Sequence, residues 1–254
     1  MKRIILSGCN GKMGKVVSEI ILERHDCVII AGFDINTVKR EDYSVFADPM
    51  QFEGNADVLI DFSHPSFLSK VLNFSLARKI PAVIATTGLN LAQIERLEEV
   101  SKSVPVFYTS NMSLGVNLII ELAKKAAAVL SESFDIEIIE MHHNQKIDAP
   151  SGTALMIADS ISSVLAKEPQ YIYDRHSQRK KRDKNEIGIH AVRGGTIVGE
   201  HEIIFAGKDE VVTIRHSAMS KNIFAVGAVN AAIFLSMQKP GIYNMGDLVS
   251  SVGG

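Results

Sequence analysis

The stretch that most narrows what this chain can fold into is its start. Lys2 to Ser7 is a short apolar run leading into Gly8-Cys9-Asn10-Gly11-Lys12-Met13-Gly14. Beyond it Met13, Val16, Val17, Ile20 and Ile21 recur on one face at helical spacing. Strand, glycine turn and helix, in that order, open a parallel βα unit. Within it Gly8 permits the tight turn, Gly11 lets a pyrophosphate approach the backbone, and Gly14 allows close helix packing. By themselves the glycines fit any strand-to-helix turn. A second strand, Cys27 to Phe33, ends in Asp34, about 20 residues after the last glycine, where a carboxylate accepts both hydroxyls of an adenosine ribose. The same charge repels a 2′-phosphate. NADH is therefore the preferred cofactor expected here, and the cations Lys12, Lys39 and Arg40 leave NADPH open.

Strand and helix patterns keep alternating. Residues 57–62 lead into Ser63-His64-Pro65 and an apolar helix face; 81–85 lead into Thr86-Thr87-Gly88 and a capping-box start at Asn90 and Gln93; 104–108 lead into Thr109-Ser110-Asn111-Met112. This is the grammar of a doubly wound parallel sheet of the Rossmann type, whose ligands lie at the carboxyl ends of the strands. His64 reads as a loop residue lining that cleft. After Gly115 a long helix, a strand with alternating Phe134, Ile136 and Ile138, and three strands at 187–192, 196–205 and 210–215 predict a second α+β domain with an open mixed or antiparallel sheet. Gly194-Gly195 and 207–210 read as hairpin connections. Ser220 reads as the cap of a final helix that returns to the first domain. The predicted division is 1–112 with 220–254 for the dinucleotide, and 113–219 for the second domain.

The net charge of −2 and 46% hydrophobic content fit a globular protein without the field that nucleic acid requires. No run of roughly 18 apolar residues and no signal peptide is present, so a cytoplasmic protein without a membrane partner is expected. Cys9 and Cys27 sit in or beside predicted buried strands and read as core residues. The basic run Arg175 to Arg182 lacks interleaved aromatics and reads as a solvated loop rather than a nucleic-acid patch, or else as a mobile loop that brings cations to an acidic substrate.

The chemistry concentrates in Glu140 to Ala154, EMHHNQKIDAPSGTA. Ser151 reads as an N-cap, so the amides of Gly152 and Thr153 offer an anion site. Zinc is disfavoured by Lys146 among the ligands, and a serine nucleophile by the missing elbow motif; no metal is expected. A structural histidine pair is a fair account of one of His142 and His143. The grouping best suits a carboxylate-rich substrate, with Lys146 and the helix amides holding anions and a histidine or the lysine donating a proton. Asp148 reads as orienting Lys146 or its loop.

These residues resemble the dihydrodipicolinate reductase (4-hydroxy-tetrahydrodipicolinate reductase) family, whose pattern E-x-H-H-x-x-K-x-D-A-P-S-G-T-A is complete at Glu140 to Ala154. The resemblance extends to the Gly8 to Gly14 turn, Asp34, Thr86-Thr87-Gly88, Asn111 and Val198-Gly199-Glu200-His201. It implies hydride transfer from NAD(P)H to a cyclic dicarboxylate imine in lysine and diaminopimelate synthesis. It makes His142 and Lys146 catalytic, and His143, Ser151, Gly152 and Thr153 substrate-binding. It puts the cofactor on Gly8, Cys9, Asn10, Gly11, Lys12, Met13, Asp34, Ala85, Thr86, Thr87, Thr109, Ser110, Asn111 and Met112. It also implies a homotetramer built through second-domain strands. Ala85 stands where the family often has glycine, and Ile35 where some members carry a basic residue. Another NAD(P)-dependent amino-acid dehydrogenase, or a non-catalytic NADH sensor, is the alternative reading.

Overall fold

A computed structural model describes residues 1–39 and 42–252. In chain order the elements are β1 (Lys2–Ser7), α1 (Lys12–Leu22), β2 (Cys27–Phe33), β3 (Ser44–Phe46), β4 (Val58–Asp61), α2 (Leu68–Arg78), β5 (Ala82–Ile84), α3 (Leu91–Ser101), β6 (Pro105–Tyr108), α4 (Leu114–Leu130), β7 (Asp135–His142), α5 (Gly152–Ser162), β8 (Gln170–Ile172), β9 (Glu186–Arg193), β10 (Gly199–Ala206), β11 (Val211–Ala218), α6 (Asn222–Leu235), β12 (Gly241–Tyr243) and α7 (Met245–Val252). They divide into two units, Met1–Leu114 with the segment from Asn222 onward, and Gly115–Lys221. Among the described residues no helix is long and apolar enough to cross a membrane.

The first unit is a parallel sheet in the order β12-β6-β5-β4-β1-β2-β3. Its central strands are apolar without alternation because both faces are covered. Ile4, Leu6, Ile60 and Phe107 pack beneath α1, α6 and α7, while Ile5, Leu59, Ile84 and Val106 pack beneath α2 and α3. Phe33, with Phe52 and Phe74 edge-on to it, fills the second layer. This is the doubly wound fold expected from the strand–helix alternation. The edge strands β3 and β12 were not expected; at three residues each they are too short for a periodic signal.

The second unit is a five-stranded mixed sheet in the order β11-β10-β7-β9-β8. The 207–210 connection is a hairpin between β10 and β11, closed by the Gly207 amide on the Glu210 carbonyl at 2.9 Å. Gly194-Gly195 is not one. β7 lies between β9 and β10, parallel to the first and antiparallel to the second, so the glycines carry the chain past β7's end. The inward residues Ile136, Ile138, Ile189, Ile203 and Phe205 are buried against α4 and α5. The basic run is likewise no wholly solvated loop. Arg175 reaches Glu137 (2.7 Å) and Glu186 (2.8 Å), and Arg182 reaches Glu137 and Asp135, both at 3.0 Å. Arg179 and Lys181 remain exposed.

Candidate active site

Gly8, at the end of β1, has φ of +75°, and a Cβ there would fall 2.6 Å from the Phe62 carbonyl oxygen. At Gly14 a Cβ would meet the Gly8 oxygen at 2.2 Å, so α1 starts close against the turn only because both are glycine. Gly11 is the N-cap and has no side chain to occupy the first-turn amides, which leaves an anion site. Asp34, at the end of β2, accepts the Asn10 amide (3.0 Å) and the Asn36 amide (2.9 Å). Asn10 donates its side-chain amide to the Asn36 and Val38 carbonyls. Lys12 and Lys39 are exposed nearby in sequence; Arg40 lies outside the described residues. A glycine cradle, a bare helix start and a held carboxylate fit a dinucleotide.

Several of the expected cofactor residues have only backbone to offer. Cys9 packs its sulfur against Gly32, and burial pushes its thiol up to about 11. Thr86 donates its hydroxyl to Asp61 (2.6 Å) and the Ser63 carbonyl (3.0 Å). Met112 is core, packed with α6 residues, and Met13 is partly buried against the same cluster. Ala85 donates its amide to the Asp61 carbonyl. Thr87 and Ser110 are exposed; Thr109 donates to the Asn111 carbonyl (3.3 Å), and Asn111 accepts the Ser113 amide (2.8 Å). His64 accepts the Ser66 amide and caps a short 3₁₀ turn. Asp61 was not anticipated. It is fully buried, and burial raises its carboxyl against the hydrogen bonds from Thr86 and Ser63.

In the second unit β7 alternates inward and outward, so Glu140 and His142 share the inner face with Ile136 and Ile138. Glu140 is fully buried. Its carboxylate accepts from His142 Nδ1 (2.6 Å), the Ser151 amide (2.9 Å), and both terminal nitrogens of Arg193 (2.8 and 2.7 Å). Burial alone would raise this carboxyl; the Arg193, His142 and Ser151 hydrogen bonds outweigh it and hold it below the usual range. His201 on β10 lies edge-on to His142, ring centres 5.3 Å apart, with its Nε2 3.2 Å from the Ser151 hydroxyl. Burial, then the neighbouring His142, depresses His201 to about 4.

Ser151 caps α5 by accepting the Ala154 amide at 3.2 Å. Lys146 lies 2.8 Å from Asp148, whose carboxyl is held low first by that lysine and further by the Gly152 amide. An acid thus already sits at the cation and helix start that would take a substrate carboxylate. His143 is half-buried, and its carbonyl accepts the Lys146 amide. The Gly194-Gly195 bend seats against this turn through Gly194 N to His142 O (2.9 Å) and Asn144 N to Gly195 O (3.3 Å). Sequence reading missed Arg193. Its signal was indirect: a glutamate in phase with buried isoleucines needs a cation, and Arg193 ends a neighbouring strand.

A parallel sheet with a dinucleotide turn, joined in one chain to a sheet carrying a carboxylate-held histidine beside an anion-binding helix start, defines a nicotinamide-dependent oxidoreductase. Family comparison matches residues 2–112 to the dihydrodipicolinate reductase N-terminus and 115–249 to its C-terminus, and the chain belongs to that family. It is 54% identical over 249 residues to the 4-hydroxy-tetrahydrodipicolinate reductase of Caldanaerobacter subterraneus subsp. tengcongensis, covering 98% of each. It is 45% identical over 251 residues to that of Clostridium novyi, covering 99% of each. A solved dipicolinate-bound dihydrodipicolinate reductase from Paenisporosarcina sp. TG-14 superposes with a TM-score of 0.80 at 26% identity, covering 96% of this chain and 97% of that one. A Corynebacterium glutamicum diaminopimelate dehydrogenase, at 0.56 and 14% over 98% and 95%, shares the fold alone.

Proposed function

We propose that this protein reduces 4-hydroxy-tetrahydrodipicolinate to tetrahydrodipicolinate in lysine and diaminopimelate synthesis, the 4-hydroxyl leaving as water as the hydride and a proton are added. The observation that carries this reading is the hydrogen bond from His142 to buried Glu140, in the unit where Lys146 and the start of α5 form an anion site. Gly8 to Met13, Asp34, Ala85 to Thr87 and Thr109 to Met112 hold the cofactor, NADH by preference because of Asp34. When bound, the reduced nicotinamide supplies the hydride.

The remaining work falls to side chains of the second unit. Lys146 and the Gly152 and Thr153 amides take the substrate carboxylates, displacing Asp148 from the lysine; His143 adds a contact, and Ser151 fixes the helix start. Reduction of a conjugated imine leaves an electron-rich carbon that must take a proton. His142 donates it from Nε2, since its Nδ1 is committed to Glu140. Lys146 is the second donor and neutralises the charge that develops. A homotetramer forms through the outward face of the second sheet, where Ile139, Met141 and Ile204 lie outside the buried core and Val192 is 43% exposed. The cytoplasm, with its nicotinamide pool, is the compartment where such a reductase works.

The test is an absorbance assay on purified protein with freshly made substrate, run with NADH and NADPH in turn. Steady NADH oxidation is expected; cofactor binding without turnover would leave a sensor instead. His142→Gln should lower kcat by about 10²-fold or more with little change in cofactor KM. Lys146→Ala should impair both kcat and substrate KM, and normal kinetics would remove it from the site.

A further inference from the structure

We infer that Arg193 and Glu140 form a positioning pair that fixes the ring of His142 and ties it to the start of α5. This rests on the reading of His142 as the proton donor. An ionised carboxylate has about four acceptor positions, and Glu140 has all of them filled: two by the Arg193 fork, one by His142 and one by the Ser151 amide. With every position occupied and the side chain fully buried, Glu140 cannot swing away from the ring. Since the carboxylate only accepts, Nδ1 of His142 must carry hydrogen, and Nε2 is the nitrogen left free of Glu140. There is little room on that side: a Cβ at Gly199 would lie 3.1 Å from Nε2.

Arg193 extends the same device. Its Nη2 also donates to the Asp148 carbonyl at 2.7 Å, so one guanidinium holds the carboxylate that orients the histidine and the loop that carries the Lys146–Asp148 pair. A lysine has no fork with which to span both carboxylate oxygens. Every strand beside His142 contributes a charged or titratable neighbour. Glu140 comes from β7, Arg193 from β9, and His201 from β10 with His216 paired to it on β11; Lys146 and Asp148 come from the following loop. Of these, Glu140 and Arg193 bring opposite charges to the Nδ1 side of the ring.

The two members of the pair therefore act with opposite sign on the limb of the kcat profile where activity is lost as pH rises. Glu140→Gln is expected to lower kcat about tenfold or more and move that limb down by about one pH unit. Arg193→Met should lower kcat and move it up. Arg193→Lys, which restores the charge without the fork, should return the limb to its original position with kcat only partly recovered; the NADH KM should stay within about twofold throughout. A merely structural pair would lower kcat with the limb unmoved, and that result, or shifts of one sign in both variants, would overturn the inference. A ring-nitrogen NMR measurement on the unmodified enzyme needs no variant to fold: neutral His142 should carry its hydrogen on Nδ1, and hydrogen on Nε2 would be equally fatal. His142→Gln run alongside separates the levels. Full activity there sinks the assignment of His142 itself, whereas loss there with an unmoved limb in Glu140→Gln sinks only the pair.

Discussion

Asp34 holds one carboxylate oxygen against the Asn10 amide and the other against the Asn36 amide, so its charge is fixed in place at the end of β2 rather than left to find the ribose. A fixed charge discriminates in both directions. On the proposed reading it accepts the paired hydroxyls of one dinucleotide and repels the phosphate of the other, so removing it should trade one for the other. Asp34→Ala is expected to lower kcat/KM with NADH and raise it with NADPH, each by about tenfold. Parallel initial-rate series with the two cofactors measure this, and an unchanged ratio would place the selectivity elsewhere, with exposed Lys12 and Lys39 the next residues to replace.

At the scale of elements, α3 is the cleanest case of local chemistry deciding a boundary. Asn90 accepts the Gln93 amide at 2.9 Å while Gln93 accepts the Asn90 amide at 3.0 Å, the reciprocal box readable from the residue types alone. Asn90→Ala should cost about 1 kcal/mol of stability and leave turnover untouched, a pairing that thermal melts and a routine assay can check together. Ser151 was legible for the same reason: its cap lies three residues away in the chain. The parallel sheet was legible, apart from its short edge strands, because strand and helix patterns alternate along the chain. What was not legible depends on partners far apart in sequence. Gly194-Gly195 looks like a hairpin until β7 is seen between the strands it joins. Arg193 carries no local signal until register sets it opposite His142. Asp61 and Thr86 stand 25 residues apart and meet only because their strands are neighbours. Likewise, the two arginines of the basic run find Glu137 across 38 and 45 residues, so a composition argument could see their charge and not its destination.

For the whole molecule, the buried titratable groups set how stability changes with pH. His201 falls from 6.5 to about 4, so the folded chain refuses a proton that the unfolded chain accepts. Its contribution is complete above pH 6.5 and is lost as pH falls toward 4, on the order of 3 kcal/mol across that window. His216, also lowered by burial, acts with the same sign. Glu137 and Glu140 are held below their ordinary 4.5, so their contribution is present above that value and lost beneath it, a second and more acidic stage. Asp61 opposes both, because burial raises its carboxyl and the folded state gains as pH falls through that range. The unfolding free energy should therefore decline in two stages, the first starting near pH 6.5. Urea titrations at half-unit steps from pH 8 down to about 2.5 would resolve the stages. His201→Gln should flatten the first and leave the second in place; if the first stage persists unchanged in that variant, His201 is not its source.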